Sequence, residues 1–336
     1  MQHLRNLRNL RIIFTMARPL LALLLAALLV ACAAPQAAVP IATLALPTAT
    51  PAPTVPPTPA ATATPPPAAA LEAGARIDIG GRALFLQCSA PIPGAPTVIL
   101  EAGLAADHTA WEQVQPAAAR YARVCSYDRA GLGVSNPGPP PRDAASASAD
   151  LRALLATAGV SGPYILVGHS FGGLFARRFV ADNPDAVIGL ILAEAVHEDW
   201  WERALAALPP ETPGDSQRLQ GFRRFLTSEV ADPARNAEGL DIPAVAAQVR
   251  AAAPLGARPL VVLVAGTPDV LAPGLPPEVE AQLVGLLQQE LPKAMAALSS
   301  DSTVIVVPDS GHELPRQRPD MIVLAIQAVL AAVGQR

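Results

Sequence analysis

Lysine is almost missing from this sequence of 336 residues: Lys293 is the only one, and arginine supplies nearly all the positive charge. The formal net charge is −4, and no basic cluster occurs in the part of the chain able to fold. The electrostatic footprint of a nucleic-acid binder is therefore absent. Cysteine is scarce as well, with Cys32, Cys88 and Cys125 the full complement. No internal repeat is visible, which excludes repeat arrays. No residue pattern implies a metal or a cofactor.

The near-unbroken Leu/Ala run at residues 19–30 falls short of the roughly 20 apolar residues a membrane span needs. It follows Arg5, Arg8, Arg11 and Arg18, and this order of charge and apolar run is that of a signal peptide over residues 1–31. An uncleaved anchor helix is the competing reading, and the shortness of the run counts against it. Leu29, Val30 and Ala31 precede Cys32, and this stretch resembles the lipobox of bacterial lipoproteins. The resemblance implies cleavage before Cys32 and acylation of that residue, against the alternative of an incidental cysteine. Several buried acyl chains hold a protein at a membrane far more firmly than one. The expectation is an exported, extracytoplasmic domain anchored to the membrane by lipid.

After Cys32, residues 33–70 are rich in proline, threonine and alanine. Such a composition builds no packed core and favours extended polyproline geometry. It reads as a stalk, reaching roughly 100 Å if fully extended.

Residues 71–336 suffice for one domain with a substantial core. In them, β-branched apolar runs alternate with helical patterns, the signature of a mainly parallel sheet with helices on both faces. Segments 76–79 and 83–88 flank Gly80-Gly81 as an opening hairpin. The remaining strands are expected at 97–101, 122–127, 164–167, 188–193, 260–264 and 303–307. Helical spacing occurs at 111–121, 144–157, 171–181 and 321–333. Residues 196–258 break the alternation with helical patterns, prolines and the aromatics Trp200, Trp201, Phe222 and Phe225, and read as a helical cap. Those aromatics either line a pocket or form the cap's own core. In an exported domain, Cys88 and Cys125 suggest one disulfide.

Chemistry concentrates at Gly168-His169-Ser170-Phe171-Gly172. An apolar strand enters this Gly-x-Ser-x-Gly turn and a helix leaves it, the context of a nucleophile elbow. The turn strains the serine backbone and exposes its hydroxyl, while the flanking glycines avoid clashes. The helix N-terminus behind it favours developing negative charge.

With this motif the domain resembles the α/β-hydrolases, a mostly parallel eight-stranded sheet flanked by helices. The likeness runs from about Arg76 to the last helix. It implies that Ser170 is the nucleophile and that the backbone N–H groups of Leu104 and Phe171 form an oxyanion hole. Ala102 stands where the family usually has histidine, and Gly103 is kept. The Tyr127–Ser135 turn matches a second family motif and implies a structural role for Asp128, buttressing the nucleophile loop. Pro308-Asp309-Ser310-Gly311-His312 matches the family's histidine loop, making His312 the general base in the order Ser…acid…His. Of the other histidines, His169 is expected to point away from the site, and His108 and His197 to line or shape the pocket. Asp269, after the 260–264 strand, is the favoured acid, with Glu194 the alternative. The family's strand order also sets 83–88 beside 122–127, within disulfide reach.

These residues imply acyl transfer from a small-molecule carboxylic ester, or a related acyl compound, through a Ser-His-acid triad and an acyl-enzyme. The rival is a catalytically silent surface lipoprotein that uses the fold to bind a ligand or partner, which fold alone does not exclude.

Overall fold

The apolar runs form one eight-stranded sheet in the computed structural model, which describes residues 65–230, 232–269 and 274–335. The expected signal peptide, Cys32 and most of the proline-rich stretch lie outside the described residues.

The strands are β1 (Ala75–Asp78), β2 (Ala83–Cys88), β3 (Thr97–Glu101), β4 (Arg123–Tyr127), β5 (Tyr164–His169), β6 (Val187–Ala193), β7 (Leu260–Ala265) and β8 (Ser302–Val307). Their order in the sheet is β1-β2-β4-β3-β5-β6-β7-β8. β2 pairs antiparallel with β1 and β4, and the remaining neighbours are parallel. Every residue of β3, β5 and β7 is buried, as expected where helices cover both faces.

Side chains alternate between the faces with the two-residue period of a strand. Ile99, Leu166 and Val262 enter one core with Leu151, Leu154 and Phe179. Leu100, Ile165, Val167 and Leu263 enter the other with Trp111 and Ile326. The first core is covered by α3 (Ala144–Thr157) and α4 (Gly172–Asp182). Preceding these in the chain are α1 (Ala68–Ala73) and α2 (Val114–Ala118). Asp143 starts α3 with a capping box: its carboxylate accepts from the Ser146 N–H at 2.8 Å, and the Ser146 hydroxyl accepts from the Asp143 N–H at 3.0 Å. In α4, Leu174, Phe175, Phe179 and Val180 are buried, so the helix after the elbow is anchored by its apolar face.

Cys88 and Cys125 face each other across β2 and β4 and are joined by a disulfide. The antiparallel pairing that places β2 beside β4 also registers these two residues as direct partners.

Helical material above the sheet comes from two places. The 196–258 insertion contains α5 (Trp200–Ala206), α6 (Gln217–Arg224) and α7 (Ile242–Arg250). A second segment after β7, with α8 (Pro277–Gly285) and α9 (Leu291–Ala296), was not anticipated from the sequence. Leu275, Val279, Leu283, Leu286 and Leu291 from this segment share an apolar cluster with Trp200, Leu219, Phe222 and Leu226 of the first. Each segment alone is a weakly amphipathic stretch; together they close a small core. The chain ends with α10 (Leu314–Gln317) and α11 (Pro319–Gly334).

Candidate active site

β5 delivers the chain directly into Ser170, whose φ is +52°, a left-handed conformation costly for a residue with a side chain. Two glycines make the turn possible. A Cβ on Gly172 would lie 2.4 Å from the carbonyl oxygens of Glu101 and Ala102, and one on Gly168 would lie 2.7 Å from Gly173 Cα. The strain is held from both sides: the Ser170 N–H donates to the Ala193 carbonyl at 3.3 Å, and its carbonyl accepts from the Val196 N–H at 2.9 Å.

His312 arrives from the turn after β8, and its Nε2 lies 2.9 Å from Ser170 Oγ. That turn is tied down by the Ser310 hydroxyl, which donates to the Val307 carbonyl at 2.7 Å, and by the Thr267 N–H, which donates to the Ser310 carbonyl at 2.9 Å. Burial lowers the pKa of His312 below the usual histidine value, with the charges of Glu313 and Asp269 opposing it. Its Nδ1 is buried and has no hydrogen-bond partner among the described residues.

The two candidate acids occupy different positions around this ring. Asp269 Oδ1 accepts from the backbone N–H of His312 at 2.6 Å. The contact is so close that a Cβ on Gly311 would lie 1.8 Å from Asp269 Oδ2, which explains the glycine before the histidine. Glu194 has φ +46° at the end of β6 and accepts from the Ala265 N–H through Oε2. Burial pushes the Glu194 carboxyl up to about 7, against the Ala265 hydrogen bond and with help from the negative charge of Asp269.

His169 departs from expectation. Instead of pointing away it lines the cavity beside Ser170, and its Nε2 contacts the His312 carbonyl oxygen at 2.7 Å. A carbonyl only accepts, so Nε2 carries the proton. Burial, and secondarily the His312 charge, hold its pKa down at about 3, so the ring is neutral. His197 lines the cavity as expected, whereas His108 binds Asp128 through Nδ1 at 2.7 Å and lies outside it. Asp128 also accepts from the N–H groups of His108 and Val134, and so buttresses its own turn and the segment before α2, not the elbow. Asp107, His108 and Asp128 form a cluster with ligand-like spacing, but these hydrogen bonds already engage it.

Sequence reasoning missed the neighbour of Asp128. The Arg129 guanidinium is buried, donates to the carbonyl oxygens of Ala102 and Gly103 at 2.6 Å each, and pairs with Glu101 and Glu238 at 2.7 Å. Burial opposes its charge, but Glu238 and Glu101 outweigh that and raise its pKa further above the arginine range. Tyr127 donates its hydroxyl to Glu101. The only signal was a charged residue inside an otherwise apolar strand, Glu101 in β3.

Leu104 and Phe171 border the cavity beside Ser170, and among the described residues neither backbone N–H has a protein acceptor. The cavity measures about 330 Å³. Trp200, Trp201, Phe222, Phe225 and Met295 contribute an apolar wall opposite the polar floor. Trp200 and Phe222 also belong to the cap's core, so the aromatics serve both purposes.

Residues 96–238 match the family model described as the alpha/beta hydrolase fold. A solved thermophilic esterase from Thermogutta terrifontis superposes with a TM-score of 0.50 at 22% identity, over 77% of this chain and 98% of that one. The chain has the α/β-hydrolase fold. Among curated relatives, an AB hydrolase superfamily protein of Gibberella zeae is 38% identical over 122 residues, 34% of this chain and 38% of that protein. A putative carbamate hydrolase, RutD, of Klebsiella pneumoniae is 38% identical over 105 residues, 31% of this chain and 39% of that protein. The chain thus spans well under half the length of these two relatives.

Proposed function

We propose that the protein is a serine hydrolase acting on a carboxylic ester or a related acyl compound. The observation that carries this reading is the 2.9 Å contact between His312 Nε2 and Ser170 Oγ, on the floor of an apolar cavity and beside two backbone N–H groups without acceptors.

Ser170 Oγ attacks the acyl carbon as His312 Nε2 takes its proton. The carbonyl oxygen becomes an oxyanion between the N–H groups of Leu104 and Phe171, and one such donor is worth about a hundredfold or more in rate. The intermediate collapses by losing the alcohol, which leaves with the proton from His312. Water then attacks the acyl-enzyme by the same route in reverse and releases the acid and Ser170. Asp269 is our acid: it already holds the His312 backbone and its charge bears on the imidazole, whose Nδ1 has no hydrogen-bond partner among the described residues and is free to meet it. Glu194 is engaged by Ala265, and burial raises its carboxyl to about 7, so near neutral pH it carries less of the full charge that would stabilise an imidazolium. The relative described as a putative carbamate hydrolase places carbamates beside esters, amides, thioesters and lactones in the panel to be screened.

Export and lipid anchoring through Cys32 form part of the proposal. The Cys88–Cys125 disulfide supports an oxidising compartment. Turnover of a short-chain ester panel, with loss in Ser170→Ala, tests the enzymatic reading. Release from the membrane fraction in Cys32→Ala tests the anchor.

A further inference from the structure

Catalysis as proposed requires the Leu104 N–H to face the oxygen that becomes the oxyanion, although Leu104 lies in a loop with no regular pairing. The peptide unit that contains this N–H also contains the Gly103 carbonyl. In a trans peptide the two point in opposite directions. Arg129 holds the Gly103 carbonyl at 2.6 Å, so whatever fixes that oxygen fixes the Leu104 N–H facing the other way. Gly103 itself lies against the nucleophile: a Cβ placed on it would be 3.6 Å from Ser170 Oγ.

The next peptide is fixed in the opposite sense. Ala105 has φ +58° and donates its N–H to Glu238 Oε1 at 2.9 Å. Glu238 in turn grips the guanidinium with both oxygens, at 2.7 Å to Nε and 2.7 Å to Nη2. Arg129 completes the frame through the Ala102 carbonyl and Glu101. Its guanidinium carbon lies 4.9 Å from the centre of the Phe175 ring, which contacts Phe171, the second oxyanion residue.

We propose that Arg129 and Glu238 are positioning residues for the oxyanion hole, fixing the 102–105 peptides so that the Leu104 N–H faces the oxyanion that forms when Ser170 attacks. The inference rests on the hydrolase reading above. Stability is a poor explanation for burying these charges, because replacing a buried ion pair with apolar residues is often neutral or stabilising. Arginine is required because its planar fork holds two adjacent carbonyls and a carboxylate at once, which a lysine ammonium cannot. Glu238 comes from the insertion between β6 and β7, so the cap segment supplies part of the oxyanion frame.

The test uses the full chain with Glu238→Ala, Glu238→Gln and Arg129→Lys, each checked for wild-type folding by circular dichroism. Glu238→Ala leaves Arg129 paired with Glu101, so no charge is stranded. Both Glu238→Ala and Arg129→Lys should lower kcat about 10–100-fold with KM within about threefold, the size expected for a misplaced oxyanion donor. Affinity for an alkyl trifluoromethyl ketone, which adds Ser170 and leaves an oxyanion, should fall in proportion to kcat. Glu238→Gln retains an acceptor for the Ala105 N–H and should recover most of both. Hydrogen exchange at the Ala105 amide, read without any substrate, should quicken in Glu238→Ala and not in Glu238→Gln. Folded variants with wild-type kcat and ketone affinity, or unchanged Ala105 exchange, would overturn the proposal. A wild-type protein inert to esters and to the ketone overturns the hydrolase reading instead, and the amide exchange then decides the frame alone.

Discussion

His169 donates its Nε2–H to the carbonyl oxygen of His312 across 2.7 Å, so the residue before the proposed nucleophile holds the loop that carries the proposed base. The two imidazole rings lie 5.1 Å apart, and one is kept neutral while the other works. His169→Ala should leave the elbow intact and loosen the His312 loop. Turnover should fall about tenfold or more, in keeping with the sensitivity of catalysis to small misplacements. His169→Gln, which retains a donor, should keep more activity than His169→Ala in steady-state kinetics.

Separating the two carboxylates needs one comparison. Asp269→Asn should cost on the order of a thousandfold or more in kcat, as acid loss does in other triads. Glu194→Gln should stay within about tenfold, since its amide oxygen can still accept from Ala265. The reverse ranking would move the acid to Glu194.

Glu194 also predicts a pH effect on stability. Its carboxyl is raised from 4.5 to about 7 on folding, so the folded state binds the proton more tightly. Its stabilising contribution is complete below pH 4.5 and is lost as pH rises to about 7. A shift of that size amounts to about 3 kcal/mol. Urea unfolding at pH 5 and pH 8 should show Glu194→Gln losing that part of the pH dependence, and the variant should exceed the wild type at pH 8.

For activity the sign is opposite. His312 must be neutral to accept the Ser170 proton, and burial lowers its pKa below 6.5. The acid limb of kcat/KM should therefore have its midpoint below 6.5, read from a pH–rate profile.

Cys88 and Cys125 are 37 residues apart in sequence. Closing a loop of that length stabilises a fold by about 4 kcal/mol in the chain-entropy account. Thermal melts should show the double variant Cys88→Ala/Cys125→Ala substantially less stable, with kcat preserved in the folded fraction.

What the sequence made legible follows from local rules. Ser170 was visible because the elbow imposes glycines on its neighbours, and the strands were visible because burial on both faces makes them apolar throughout. Arg129, Glu101 and Glu238 were not, because 109 residues separate Arg129 from Glu238 and only the fold brings them together. The second cap segment was missed because α8 and α9 bury their leucines against the first segment, so neither shows a complete apolar face alone. His169 was misjudged because its partner, the His312 carbonyl, lies 143 residues away in sequence and only the fold brings it to the end of β5.

Everything proposed for the site depends on Ser170 being a nucleophile activated by His312. Incubating the full chain with a fluorophosphonate probe and locating the adduct by peptide mass spectrometry tests it most directly. One adduct is expected, on Ser170, lost in Ser170→Ala and greatly slowed in His312→Ala. A folded wild-type protein that gains no adduct, or gains it on another residue, would contradict it.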